Sequence, residues 1–182
     1  MILSISGTAG SGKSSAARQL AGVLGMKHYS VGDLRKEMAQ RRNMSLAELN
    51  KMGEEKDFTD KEADEFQIEL GEKEDKFVID GRLSYHFIPK SIKIYFKAHV
   101  RTRAERIYND ERPGESFRDL GDAIASLIER DKSDNLRYTK YYNLDPTNEL
   151  QYDFVLDTTY LNVNEAVAEI LKFIKQEKII SS

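Results

Sequence analysis

The 182 residues suffice for one domain with a modest insertion, and a content of 40% hydrophobic and 32% charged residues can build a core while keeping the surface wet. A formal net charge of −3, with Lys and Arg mixed among Asp and Glu, excludes the global basic field of a nucleic-acid wrapper. The absence of cysteine excludes a disulfide framework, a thiol nucleophile and a Cys-based zinc site.

The N-terminal apolar run turns at Gly7, too short for a signal peptide and without a basic segment before it. No window approaches 18 uninterrupted apolar residues. A cytoplasmic enzyme is the expectation. Ile2 to Ser6 suits a buried parallel strand. Ser14 to Leu24 has helical spacing, with Ala17, Leu20, Ala21 and Leu24 on one face and Gly25 as a stop. His28 to Ser30 is a short second strand. Asp33 to Arg42, Ser45 to Glu55 and Asp60 to Lys73 read as charged helices, the second opened by a capping box of Ser45 and Glu48. Phe77 to Ile79 is a strand ending at Asp80-Gly81, and Ile92 to Phe96 is a fourth. Helices are expected over Val100 to Asn109, Ser116 to Tyr141 and Val163 to Lys175, with a fifth strand over Tyr152 to Leu156. Ile179 to Ser182 should fray.

Strands alternating with helices predict an α/β domain: a five-stranded parallel sheet with helices on both faces. Residues 31–75 interrupt that alternation. They are expected to be an insertion over the carboxyl edge of the sheet, where such folds bind ligands.

Gly7-Thr8-Ala9-Gly10-Ser11-Gly12-Lys13-Ser14 matches the phosphate-loop pattern G-x-x-x-x-G-K-[ST] completely, between a predicted strand and a predicted helix. Glycines let the backbone curl so that N–H groups converge on one anion. The helix adds its positive dipole end, Lys13 a point charge for the β- and γ-phosphates, and Ser14 a hydroxyl for Mg²⁺. Gly7 to Ser15 are therefore the expected ATP-binding residues. Asp80, at the end of an apolar strand, is the acid expected near Mg²⁺ through water.

No D-x-x-G and no N-K-x-D occurs, so a guanine-nucleotide switch is not expected. A kinase of a small molecule fits this length better. Arg35, Arg82, Arg103, Arg106, Arg130 and Arg137 fall at element ends or on helices near the carboxyl edge. An acceptor that is itself a phosphate needs such guanidinium groups to hold it against the γ-phosphate. Its oxygen is already anionic, so no general base is required. His28, His86 and His99 lack metal-ligand spacing and read as structural or surface residues. Positions 130, 134 and 137 share one helical face.

These segments resemble the cytidylate kinase family, its short archaeal-type members most closely, over nearly the whole chain. The stretch from Ile5 to Gly25 is similar to the family's opening. Ser30-Val31-Gly32-Asp33-Leu34-Arg35 resembles its monophosphate-binding turn, and Asn43-Met44-Ser45-Leu46 its insertion. Asp80-Gly81-Arg82-Leu83 looks like the segment whose arginine holds the acceptor phosphate. Arg103-Ala104-Glu105-Arg106 is similar to the short lid, and Leu156-Asp157-Thr158-Thr159 to the strand end near the ATP base. The resemblance implies ATP as donor, Mg²⁺, and CMP or dCMP as acceptor. It implies that Ser30, Arg35, Arg82 and Arg137 contact the acceptor, that Arg130 and Asp134 serve the active site and ribose, and that Lys13, Arg103, Arg106 and Arg130 are catalytic. A short lid is expected over about residues 107–117. Bacterial members carry an aspartate where Leu83 stands, and archaeal-type members tend to be basic around Glu65 and Phe66. Asp64 and Gln67 are left as the polar candidates for reading the base. Small nucleotides, with no nucleic acid or membrane, are the expected partners of a monomer. The other readings are an adenylate kinase-like or other small-molecule kinase and a non-catalytic ATP-binding protein. Adenylate kinases usually carry a longer lid.

Overall fold

A computed structural model describes residues 1–56, 58–110 and 116–176. The expected α/β architecture is present. Five strands, β1 (Ile2–Gly7), β2 (Lys27–Ser30), β3 (Phe77–Asp80), β4 (Ile92–Lys97) and β5 (Phe154–Asp157), form one parallel sheet in the order β2-β3-β1-β4-β5. β1 is buried along its whole length, which is why it reads as a continuous apolar run rather than an alternating one. Its serines are the exceptions, and both are hydrogen-bonded. Ser4 Oγ accepts from Ser91 at 2.8 Å, and Ser6 Oγ donates to the Gly81 carbonyl at 3.0 Å.

The two faces of the sheet are covered by different parts of the chain. Leu3, Ile5, Ile94 and Phe96 pack on α1 (Lys13–Leu24) and, at Ala166, Val167, Ile170 and Ile174, on the last helix. Ile2, Phe77 and Ile79 pack on Met38, Leu49 and Ala63. Those residues belong to α2 (Val31–Arg41), α3 (Leu46–Glu55) and α4 (Phe58–Lys73), the region expected to be an insertion. Each large side chain buried there contributes about 1.5–3 kcal/mol, so these helices are seated by core burial as well as by charge. Ser45 and Glu48 form the expected reciprocal capping box at the start of α3. α2 follows β2 without a break, because Ser30 is its cap and accepts from Asp33 N at 3.3 Å.

Beyond β3 comes a one-turn helix, α5 (Ser84–Phe87), which the sequence pattern did not predict. α6 (Val100–Asn109) and α7 (Leu120–Tyr142) pack on each other around Ala104, Ile107, Ala123 and Leu127. α7 begins four residues later than expected, since Asp119 rather than Ser116 caps it, accepting from Asp122 N at 2.8 Å. The chain closes with α8 (Val163–Gln176). Part of the expected lid, residues 111–115, and the expected frayed end, Ile179 to Ser182, lie outside the described residues. No helix among the described residues is long and apolar enough to cross a membrane.

Candidate active site

The site starts at the carboxyl end of β1. Gly7 has φ +146, and a side-chain carbon there would lie 2.4 Å from the Phe96 carbonyl oxygen of the neighbouring strand. Gly10 has φ +78 and would meet the Arg103 carbonyl at 2.6 Å. Glycine at both positions thus lets the loop lie flat against β4 and α6. The loop is tethered from its outer side through its carbonyls. Thr158 Oγ1 donates to Ser11 O at 2.8 Å, Arg103 Nη1 to Ala9 O at 3.2 Å, and Arg106 Nη1 to Ser11 O at 3.3 Å. Carbonyls held outward in this way leave the start of α1, at Lys13, to face an anion with its N–H groups and dipole.

Two strands away, the parallel register sets Ser30 of β2 opposite Asp80 of β3, and Ile5 of β1 on the other side of Asp80. The Asp80 carboxylate is almost fully buried. Its Oδ1 accepts from Ser14 Oγ at 2.6 Å, and His28 Nε2 lies 2.8 Å from its Oδ2. Burial alone would raise this carboxyl. The His28 hydrogen bond, the Lys13 charge and the Ser14 hydroxyl outweigh that and hold it below the usual carboxylate range. Lys13 moves the other way: loss of water around its ammonium, then the Arg82 charge, lower it to about 7.

The same cleft that exposes Gly10, Gly12, Lys13, Ser14 and Ser15 is also lined by Ser30, Arg35, Asp80, Arg82, Arg130, Asp134 and Arg137. Arg82, just past β3, donates to the Gly7 carbonyl at 3.3 Å and pairs with Asp134 of α7. Arg137, one turn on, is buried and pairs with Asp134 and with Asp60 of α4. Arg35 of α2 reaches Asp60 at 2.9 Å and Asn50 Oδ1 at 3.0 Å. Burial would raise the Asp134 carboxyl, but Arg82, Arg137 and Arg130 hold it low. A second cleft behind the loop is lined by Ser11, Phe96, Arg106, Thr158, Leu161 and Asn162, among others. A helix start bearing Lys13 and a group of guanidinium side chains therefore line one cleft.

Residues 2–160 match the model of the cytidylate kinase-like family. The chain belongs to that family. It is 37% identical over 164 residues to the cytidylate kinase of Natronomonas pharaonis, covering 89% of this chain and 83% of that one. It is equally identical, over 169 residues, to the cytidylate kinase of Pyrobaculum aerophilum, covering 92% and 89%. Among solved structures it superposes on a shikimate kinase from Aquifex aeolicus with a TM-score of 0.58 at 20% identity, over 97% of this chain and 98% of that one. That likeness concerns the P-loop kinase fold.

Within this cytidylate kinase-like fold, not every expected site residue reaches the main cleft. Arg103 is buried beneath the loop and pairs with Asp131 at 2.8 Å. Arg106 lies in the second cleft, donating to the Thr158 and Leu161 carbonyls at 2.5 and 3.1 Å. Gln67 is buried, its amide donating to Ala63 O at 3.1 Å and accepting from Ser84 Oγ at 2.7 Å. Asp64 accepts from Tyr142, and burial lifts its carboxyl to about 7. Neither Asp64 nor Gln67 lines the cleft. His28, read as structural, contacts the central carboxylate. Asp60, read only as a helix start, and Asn50 were not expected in the site. Their partner Arg35 is a neighbour only after α2, α3 and α4 have packed, and no local spacing signals that.

Proposed function

We propose that this chain transfers the γ-phosphoryl group of MgATP to CMP or dCMP, giving CDP or dCDP. The observation that carries this reading is the presence of two anion-binding groups in one cleft, the loop at Lys13 and the arginines Arg35, Arg82, Arg130 and Arg137. Such a pair serves two phosphates of different molecules held end to end, and the family supplies the cytosine base.

Gly7 to Ser15 hold the donor triphosphate, with Lys13 on its β- and γ-phosphates. Arg35, Arg82 and Arg137 hold the acceptor phosphate, and Ser30 and Asp134 its sugar side. Arg130 and Lys13 meet charge that develops on the transferring group. Arg103 and Arg106 act from outside the cleft, fixing the loop carbonyls, and Arg106 flanks the cleft that suits the donor base. For Asp64 to read the acceptor base it must leave Tyr142 of α7, and for Gln67 it must leave Ser84 of α5. The domain plan is one kinase domain, residues 1–182, with an acceptor-binding insertion over about 31–75 and a short lid over about 107–117. It works as a cytoplasmic monomer on small nucleotides.

Mg²⁺ fits the residues present. Ser14 Oγ and Asp80 Oδ1 are hard oxygen donors 2.6 Å apart beside the loop. Ser14 would hold the ion directly and Asp80 through water. When bound, the ion offsets charge on the donor phosphates. Asp80→Asn is expected to raise the Mg²⁺ concentration for half-maximal activity about tenfold or more. A Mg²⁺ titration at saturating nucleotide measures it, and an unchanged midpoint removes Asp80 from this role.

A coupled ADP-release assay across CMP, dCMP, UMP, AMP and GMP tests the substrate assignment. CMP or dCMP is expected to give the highest kcat/KM. AMP as the best acceptor would overturn the assignment.

A further inference from the structure

The acceptor wall of the cleft is a single alternating chain of charges. Arg35 Nη1 of α2 donates to Asp60 Oδ1 of α4 at 2.9 Å, and Arg137 Nη1 of α7 donates to the same oxygen. Arg137 Nη2 donates to Asp134, whose other oxygen meets Arg82 Nε. Asp60 is 4% exposed and does not line the cleft, whereas Arg35 and Arg137 do. It thus joins an arginine of the insertion to an arginine of the core. Among the described residues its second oxygen, Oδ2, has no hydrogen-bond partner. α3 passes this point at Gly53, where a side-chain carbon would come within 3.2 Å of Asp60 Oδ2 and 3.1 Å of Arg137 Cδ.

Guanidinium groups gathered for one phosphate repel one another until that phosphate arrives. A buried carboxylate between two of them offsets the repulsion and fixes their planes, since each arginine fork bonds in a set direction. We infer that Asp60 is a positioning residue for the acceptor phosphate: it holds Arg35 and Arg137 at the mutual angle that presents both to one monophosphate. This rests on the reading of the cleft as the CMP site. The absence of a side chain at Gly53 lets α3 lie against both Asp60 and Arg137, and an added carbon there would also meet Thr59 Oγ1 at 2.8 Å.

The opposite role is also chemically coherent, with the carboxylate standing where the phosphate binds and competing with it. The two roles give opposite signs. Asp60→Asn keeps size and a hydrogen-bonding oxygen but removes the charge. It is expected to raise KM for CMP about tenfold, leaving KM for ATP and the inhibition constant of cytidine, which lacks the phosphate, within about twofold. Asp60→Glu should recover part of the loss. Gly53→Ala, which crowds the pair without changing any charge, should raise KM for CMP in the same selective way. An unchanged or lowered KM for CMP in Asp60→Asn overturns the inference, as does an equal weakening of CMP and cytidine, which marks general disruption of the insertion. A wild-type protein that turns over no CMP overturns the underlying reading of the site instead.

Discussion

Lys13→Ala is expected to lower kcat about 10²–10³-fold, the loss seen when one preorganised donor to developing charge is removed, with circular dichroism unchanged. A pH effect accompanies it. In the free protein the Lys13 ammonium titrates at about 7, lowered by loss of water and by Arg82. A bound triphosphate places negative charge beside the amine and raises that value. Between the two values the complex holds a proton that the free protein lacks, so binding takes up a proton and ATP affinity falls as pH rises above about 7. The limiting slope is about tenfold per pH unit for one proton. The window from about pH 7.5 to 9 isolates this group, because phosphate oxygens with a second pKa near 6 are already ionised there. Calorimetric titration in buffers of different ionisation heat reads the proton uptake directly. Loss of the slope in Lys13→Ala is the expected control. A wild-type affinity independent of pH over that window contradicts the assignment.

Arg137→Met has the second large effect, on stability as well as activity. Arg137 is among the largest fully buried side chains and bridges Asp60 and Asp134. Removing one partner of a buried ion pair costs about 3–5 kcal/mol, because the carboxylates left behind remain out of water. The lower end of that range is expected here, since Arg35 still reaches Asp60 and Arg82 still reaches Asp134. In the wild type, Asp134 is held below the usual carboxylate range, so its contribution is present above the unfolded-state pKa and is lost as pH falls through the folded one. In the variant, Arg82, Arg130 and Arg35 stay beside Asp134, so its folded-state value rises towards the unfolded one and its pH-dependent contribution shrinks. Urea unfolding at pH 3 and pH 7.5 reads the sign: the gap between variant and wild type should narrow at pH 3, below the ordinary carboxylate value of about 3.9. An equal gap at both values, or wild-type stability at pH 7.5, contradicts the role assigned to the chain of charges. CMP turnover is expected to be lost at pH 7.5.

What the sequence made legible was local. The loop from Gly7 to Ser14 is defined by contiguous residues between a strand and a helix, and the capping box at Ser45 spans three positions. The five strands were visible as short apolar runs, but their spatial order was not, because it depends on which crossovers close. Elements defined by a single turn escaped, as α5 did, since one helical turn has no period to detect. The start of α7 was misjudged because Ser116 and Asp119 are both good caps by residue type, and packing of the α6–α7 pair around Ala123 decides between them. The acceptor wall was half legible. Arg35, Arg82 and Arg137 stand out as arginines at element ends or on helices near the carboxyl edge. Asp60 lies 77 positions from Arg137, and only the closure of the insertion onto α7 makes them neighbours. His28 has the same history: its meaning depends on Asp80 in the adjacent strand, 52 positions away.

The central claim is that one cleft holds a donor triphosphate and an acceptor monophosphate end to end, and moves a phosphoryl group between them. Phosphorus NMR of the protein with MgATP and CMP tests it most directly. The account predicts that the β-phosphate signal of CDP grows at the rate at which the γ-phosphate signal of ATP decays, with little inorganic phosphate formed. Growth of inorganic phosphate alone, at the same rate with and without CMP, would contradict it.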